Sequence, residues 1–508
     1  MPSAVRAPQV GTGRLRSPLS RGERAAWPLL LLLVAGCQKP VFFPAEPMEA
    51  PEQPAPRSLY DTDGDGRGDF SMLRNERGRV DRVAYDRTGE GTFPEVVDLD
   101  AVRFAQCRHL VILLDGVGYD LVREYYEAGH LRLFHPPSRV IAPYPTLTDP
   151  CIEDLFAYLP VKGFEAEYYD HKAGRIVGGS RAYLSGENTP YNRLLHYRAD
   201  LILDAVAYVM PWQVYGKEIN DSKRLFDRRQ TREVRVYYVS SAGVGTKMGA
   251  EGHRMCLGKV EQLVNQVVWE TRGLVKVTLL SDHGHSYTPA RRVPLEDHLE
   301  ARGWRITERL QGEKDVAYVR FGLETYAALS AKRPDLLAKD VADCEGVELV
   351  SHTAKDGVIV LAPGGEYAAI GHKGGRFSYE PGRGDPLKLK DILAKLQANA
   401  DGYYDADELL AATATHVWPA PLQRLWRAHF ALVENPADVI VSLANDYYSG
   451  SGGFARFAKV ASTHGGLNHR NSTAFILSTV GPLPPVMRSA DVPRNMKALT
   501  GADWPGAR

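Results

Sequence analysis

The run Arg108-His109-Leu110-Val111-Ile112-Leu113-Leu114, closed by Asp115-Gly116, constrains the chain most. Consecutive apolar residues ended by a turn predict a strand buried on both faces, as in parallel sheets covered by helices. In an open α/β sheet, ligands collect beyond the carboxyl ends of such strands, so Asp115 is placed to enter a site. An Asp-Gly turn after a core strand explains the same residues without any chemistry. The later strands decide between the two.

Arg139-Val140-Ile141-Ala142-Pro143 reads as a second strand, stopped by proline and running into Tyr144-Pro145-Thr146-Leu147-Thr148-Asp149-Pro150. Thr148 or Asp149 is expected to cap the helix that follows. Val234 to Val239 reads as a third strand. After it, Cys256, Val260, Leu263, Val264, Val267 and Val268 recur at helical spacing. Leu274 to Leu280 is a fourth, ending in Ser281-Asp282-His283-Gly284-His285. Strand, helix and strand in this order require a parallel pair with a right-handed crossover. Val439 to Leu443 is expected to bring the chain back to this core, ahead of Ser462-Thr463-His464-Gly465-Gly466, and Ala474 to Leu477 is the last strand expected.

Asp115, Thr148, Asp282 with His283, and His464 thus each follow a predicted strand, and the topology brings them to one edge of one sheet. Taken singly, the threonine reads as a helix cap and each histidine as structural. Taken together, carboxylates and imidazoles suit zinc or another divalent transition metal, and a hydroxyl beside such an ion is acidified into a nucleophile.

Leu114-Asp115-Gly116, Pro145-Thr146-Leu147-Thr148, Ser281-Asp282-His283-Gly284 and Thr463-His464-Gly465-Gly466 resemble the motifs of the alkaline phosphatase superfamily, most closely its type I phosphodiesterase (nucleotide pyrophosphatase-like) branch. The resemblance covers nearly all of Arg108 to Pro505. It implies an α/β fold, a mostly parallel sheet flanked by helices with an inserted cap. It implies that Thr148 is the nucleophile, with Thr146 as fallback, and that Asp115, Thr148, Asp282 and His283 hold one metal ion while His464 belongs to another. Two positions depart from the pattern. Where the family carries the Asp and His of its first metal site, this chain has Ala242 and Thr246. Where the family has an Asn after the nucleophile loop, Cys151 stands. The function implied is metal-dependent hydrolysis of a phosphate ester, a diester first, through a phospho-threonine intermediate. Transfer of the phosphoryl-linked group to a surface lipid or glycan is the second reading, and a pseudoenzyme that binds a phosphorylated ligand without turnover is the third.

Before this core the chain has a different character. Arg14, Arg16, Arg21 and Arg24 precede the apolar run Trp27 to Gly36, too short to span a bilayer, which meets Cys37. Val34-Ala35-Gly36-Cys37 resembles the lipobox of bacterial lipoproteins. It implies a signal peptide over 1–36, a lipidated Cys37 and export to a bacterial membrane surface, with an uncleaved anchor as the alternative. Residues 37–57, rich in Pro, Glu and Ala, read as a tether.

In the module expected over 58–100, Asp61-Thr62-Asp63-Gly64-Asp65-Gly66-Arg67-Gly68-Asp69 spaces oxygen ligands like half of a calcium loop; Met72 stands where the closing Glu belongs. Calcium held by Asp61, Asp63, Asp65 and Asp69 is the expectation, with a solvated acidic turn as the alternative. The core is then expected over 101–289 and 426–508, around a cap insertion at 290–425.

Lys plus Arg and Asp plus Glu balance at 62 each, so no net field favours nucleic acid. Cys107, Cys151, Cys256 and Cys344 allow three disulfide pairings, and their spacing selects none. Nothing in the sequence sets an oligomeric state.

Overall fold

In a computed structural model of the chain, the described residues are 41–48, 57–200, 203, 206–355, 357–450 and 460–505. Cys37, its basic and apolar leader and most of the Pro-rich tether lie outside them. Among the described residues, no helix is long and apolar enough to cross a membrane.

The expected α/β class forms. Strands β1 (Arg108–Leu114), β2 (Ser138–Ile141), β3 (Glu233–Tyr238), β4 (Val275–Ser281), β5 (Thr473–Ser478) and β6 (Val486–Arg488) make one sheet in the order β6-β2-β5-β4-β1-β3. β3, β1 and β4 are parallel neighbours, and β6 runs parallel to β2. Only β5 runs against its neighbours. Every residue of β4 and all but the first of β1 are buried, as a sheet covered on both faces requires. Helix α1 (Tyr119–Glu127) follows β1, and α2 (Thr148–Phe156) follows β2 after a six-residue loop. Helix α3 (Ser240–Glu270) follows β3 and turns sharply at Gly249, whose φ of 62° and ψ of −145° are not helical.

Two strands depart from the expectation. Val439–Leu443 pairs with Tyr326–Ala331 and Val347–Ala354 in a nine-stranded sheet, not in the core sheet. Its five buried apolar and small residues suit the centre of either sheet, which is why the sequence could not assign it. β5 is followed by one more short strand, β6, so it is not the last.

The nine-stranded sheet reaches the site through its own core. Val358, Val360, Ala368 and Ile370 on its strands share a buried cluster with Leu422 and Leu425 of α4 (Pro421–Phe430) and with Tyr144 and Leu147 of the β2–α2 loop. Residues 57–98 form a four-stranded meander. Its Tyr60, Phe70, Val83 and Tyr85 pack in one cluster with Leu263, Val264 and Val267 of α3 and with Leu110 and Ile112 of β1. Cys107, Cys151, Cys256 and Cys344 are all buried and free.

Candidate metal and nucleophile site

The ends of β1 and β4 meet because the two strands are paired in parallel, Ser281 level with Leu114. Asp115, Asp282 and His283 therefore leave the same edge side by side. Their ligand atoms all lie within 4.8 Å of one another, and all three residues are buried. His283 Nε2 is 3.5 Å from Asp115 Oδ1 and 3.4 Å from Asp282 Oδ2. Thr148 Oγ1 is 3.4 Å from the same nitrogen.

Each group is held in the form a metal needs. His283 Nδ1 faces the Gly284 carbonyl at 3.0 Å and must donate to it, which leaves Nε2 bare. Burial lowers the His283 pKa to about 4, so the ring is neutral. Asp282 Oδ1 accepts from the Gly116 and His283 amides at 3.0 and 2.9 Å, while its buried Oδ2 has no hydrogen-bond partner among the described residues. Burial raises Asp282 to about 6. Asp115 Oδ2 accepts from the Tyr237 hydroxyl. Burial, then the Asp115 charge, pushes that phenol far above its usual range, so it stays a donor.

A tetrahedral ion with bonds of about 2.0–2.1 Å sets its ligand atoms roughly 3.3 Å apart. The three separations from His283 Nε2 match that edge length, and an unpartnered buried carboxylate oxygen is what a missing cation leaves behind. The residues present fit a divalent transition metal.

Thr148 does not cap its helix. Leu147 is the N-cap residue, with no side-chain bond, and Thr148 is the first helical residue. Its hydroxyl is half-exposed and free to face the carboxylate–imidazole group. Asp149, next along, accepts from Tyr191 at 2.8 Å and Asn188 at 2.7 Å, and burial raises it to about 6.

Thr146, the fallback nucleophile, is committed elsewhere. It is fully buried, its hydroxyl donates to Gly466 O at 3.2 Å and accepts from Gly465 N at 3.0 Å, and its amide donates to Gly465 O. Its carbonyl takes the Nδ1 proton of His464 at 3.0 Å. His464 is thus placed by Thr146, with Nε2 as its basic atom and its ring stacked on His283 at 4.1 Å. Burial lowers His464 to about 3, so it too is neutral. It lies beside the three-residue group, not within it. Nor does it follow a core strand: it precedes β5, and because β5 runs backwards its start lies at the edge where the parallel strands end.

Arg424 of α4 locks the same loops together. Its buried guanidinium donates to Leu467 O, Pro419 O and Pro143 O. Sequence reasoning missed this arginine, Tyr237 and the acids Glu165 and Glu324. A Cβ on Gly465 would lie 2.9 Å from Glu324 Cβ, so this acid sits against the His464 loop. Burial raises Glu324 to about 8; burial, then the Glu324 charge, pushes Glu165 up as well. Glu324 therefore holds its proton at neutral pH.

Three histidines elsewhere in the chain, His253, His285 and His372, do not supply the ligands missing at Ala242 and Thr246. Gly245 leaves room for the His253 ring, to which a Cβ would come within 2.2 Å. His253 Nε2 lies 3.0 Å from Ser241 O and Nδ1 2.8 Å from the Tyr287 hydroxyl, so both nitrogens are occupied. His372 packs at a tilt against Trp426 in the nine-stranded region, ring centroids 4.0 Å apart. His285 Nδ1 is bound to Ser462, and its Nε2 belongs to no metal-ligand group among the described residues.

In the acidic loop, Asp61, Asp63 and Asp65 come together, but Asp69 does not join them. Its carboxylate takes the amide and hydroxyl of Thr62. A second Asp/Gly-rich stretch, at Asp86, is a turn whose carboxylate accepts from the Thr88, Gly89 and Gly91 amides.

No model of a known protein family matches the sequence, and no curated protein matches it. Among solved structures, murine ectonucleotide pyrophosphatase/phosphodiesterase 5 matches at 12% identity with a TM-score of 0.41, over 78% of this chain and 96% of its own. The human protein of the same name matches at 11% identity with a TM-score of 0.43, over 78% and 95%. An inactive variant of the murine protein, in complex with AMP, matches at 12% with a TM-score of 0.41, over 78% and 96%. The strand order and the geometry above are this chain's own.

Thr146→Val should strand Gly465 N and Gly466 O and lower stability by about 1–3 kcal/mol, since buried polar groups lose their partner. Thr146→Ser should restore most of it. Denaturant unfolding of the two variants checks this; equal midpoints for Thr146→Val and wild type would mean that Thr146 does not clamp the two loops.

Proposed function

We propose that the chain hydrolyses phosphate esters, diesters first, through a phospho-Thr148 intermediate at a site built for one divalent transition metal. The observation that carries this reading is the Thr148 hydroxyl, 3.4 Å from the bare Nε2 of His283, which is itself one tetrahedral edge from two buried carboxylates.

Asp115, Asp282, His283 and Thr148 would hold the ion, which supplies positive charge that acidifies the Thr148 hydroxyl and offsets charge on the phosphoryl oxygens. The Thr148 oxygen forms a bond to phosphorus as the ester oxygen leaves. Because Thr148 is the first residue of α2, the Thr148 and Asp149 amides have no partner within the helix and would be available to phosphoryl oxygens; Pro150 has no N–H and Cys151 N is bonded to Leu147 O. Tyr237 keeps Asp115 oriented, and the Gly116 amide does the same for Asp282. His464, neutral and with a bare Nε2, would take the Thr148 proton and pass it to the departing ester oxygen; in the second half the same nitrogen takes a proton from the attacking water and returns it to the Thr148 oxygen as the Thr148–phosphorus bond breaks. Ala242 and Thr246 offer neither a carboxylate nor an imidazole, so a second ion would have His464 alone, and one imidazole is a poor match for a site that ordinarily needs three or four protein ligands. With one ion the attacking and leaving oxygens are not both clamped, so esters with good leaving groups should react best.

Lipid attachment at Cys37, with the site facing outward from a bacterial membrane, belongs to the same reading and rests on the sequence alone. Cys37→Ser should shift the protein from the membrane to the soluble fraction or block its processing; unchanged fractionation and mass would remove this part.

A panel of chromogenic phosphate mono- and diesters, assayed with zinc and manganese, tests the activity. Thr148→Ala should lower turnover by at least about a thousandfold, as loss of a nucleophile does, while leaving the melting curve in place. Hydrolysis that survives in Thr148→Ala would overturn the covalent route.

A further inference from the structure

The turn Asp115–Gly118 carries the first carboxylate out of β1 and leads the chain into α1. Its middle is tied to the end of β4: Gly116 N donates to Asp282 at 3.0 Å, and Val117 O accepts from the Ser281 hydroxyl at 2.7 Å. Its two ends are tied to His253, a fully buried residue that the reaction above does not use.

At the first end, Asp115 O accepts from the Ser241 hydroxyl at 2.9 Å, a proton shared with Tyr238 O at 2.8 Å. Ser241 stands in the first turn of α3, and its own carbonyl lies 3.0 Å from His253 Nε2. At the second end, Gly118 N donates to the Tyr287 hydroxyl at 3.1 Å, and that oxygen lies 2.8 Å from His253 Nδ1. The partners fix the tautomer. A carbonyl can only accept, so Nε2 carries the ring proton. Burial lowers His253 to about 4, so the ring holds that one proton and Nδ1 accepts from Tyr287. Burial also pushes the Tyr287 phenol above its usual range, so it has a proton to give. One directed chain results, from the Gly118 amide through Tyr287 and His253 to the Ser241 carbonyl.

The backbone is shaped to close this chain. Ser241 and His253 are 12 residues apart, which in an unbroken helix is a separation of about 18 Å. The break at Gly249 turns the second half of α3 back, and the two residues meet. Gly245 leaves the space that the ring needs, since a Cβ there would lie 2.2 Å from His253 Nε2. Tyr287 has a φ of 49°, a left-handed conformation that a bulky residue rarely adopts, and its amide is held there by Ser462 Oγ at 2.8 Å. A histidine that only filled the core would require none of these arrangements.

We propose that His253 is a positioning residue for the metal-ligand group: through Ser241 and Tyr287 it fixes the Asp115–Gly118 turn, and with it the place of the Asp115 carboxylate beside Asp282 and His283. The inference rests on the reading of that group as a metal site. It concerns how tightly an ion is held, since His253 supplies no ligand of its own.

Zinc affinity of the full chain, read by competition with a chromophoric chelator, tests this without turnover. Wild type should bind zinc at this site and Asp282→Ala should not. Tyr287→Phe removes one oxygen and keeps the ring, and it should weaken zinc binding about tenfold, the scale of losing an outer partner of a metal ligand. Gly245→Ala, which displaces the His253 ring without removing it, should do the same. His253→Phe should match them, and His253→Gln, whose amide offers both a donor and an acceptor, should recover part of the loss. Melting curves show that each variant is folded at the temperature of the titration. His253→Phe combined with Tyr287→Phe should bind no more weakly than the worse single variant, because both cut one chain; losses that multiply would overturn the shared role. Zinc that is lost in Asp282→Ala, yet held by Tyr287→Phe and Gly245→Ala as tightly as by wild type, would overturn this inference and leave the metal reading standing. Equal zinc binding by wild type and Asp282→Ala would overturn the metal reading and this inference with it.

Discussion

The Thr146 hydroxyl, held between Gly465 N and Gly466 O, is the contact on which the rest of the site depends. It joins two loops more than three hundred residues apart in sequence and converts them into one surface. Thr146 fixes where Thr148 begins its helix, and its carbonyl fixes the tautomer of His464. Arg424 repeats the junction from the outside, bonding Pro143 and Leu467 carbonyls with one buried guanidinium. Asp115 and the Asp282–His283 pair need no such device, because parallel pairing of their strands already sets them level.

That contrast explains what could be read from the sequence. β1 and β4 are long, apolar and buried on both faces, and the ligands at their ends are recognisable from a few residues each. The Asp115, Asp282 and His283 cluster follows from strand direction alone. His464 is harder. Its loop was expected after a core strand, but Val439–Leu443 lies in the nine-stranded sheet, and His464 reaches the edge only because β5 is antiparallel. A five-residue apolar segment carries no mark of which of two sheets will bury it. Thr148 likewise carries no mark that separates a cap from a nucleophile; the helix begins one residue earlier than a cap at Thr148 would allow. Tyr237 and Arg424 act through contacts distant in sequence, and no local pattern announces them.

The neighbourhood of Ala242 is what the one-metal proposal rests on. The space over the first turn of α3 is filled by the His253 ring, folded back by the break at Gly249, and both of its nitrogens are satisfied. Among the described residues, Ala242 and Thr246 therefore leave no gap there that another ligand completes. At the strand ends stands a compact group of two carboxylates, one bare imidazole nitrogen and one hydroxyl, whose three separations from His283 Nε2 suit a tetrahedral ion.

Elemental analysis of the purified chain, beside its Asp282→Ala variant, tests this account most directly. It predicts one transition-metal ion per chain in the wild type and none in the variant. Two such ions per chain, or one that survives the loss of Asp282, would contradict it.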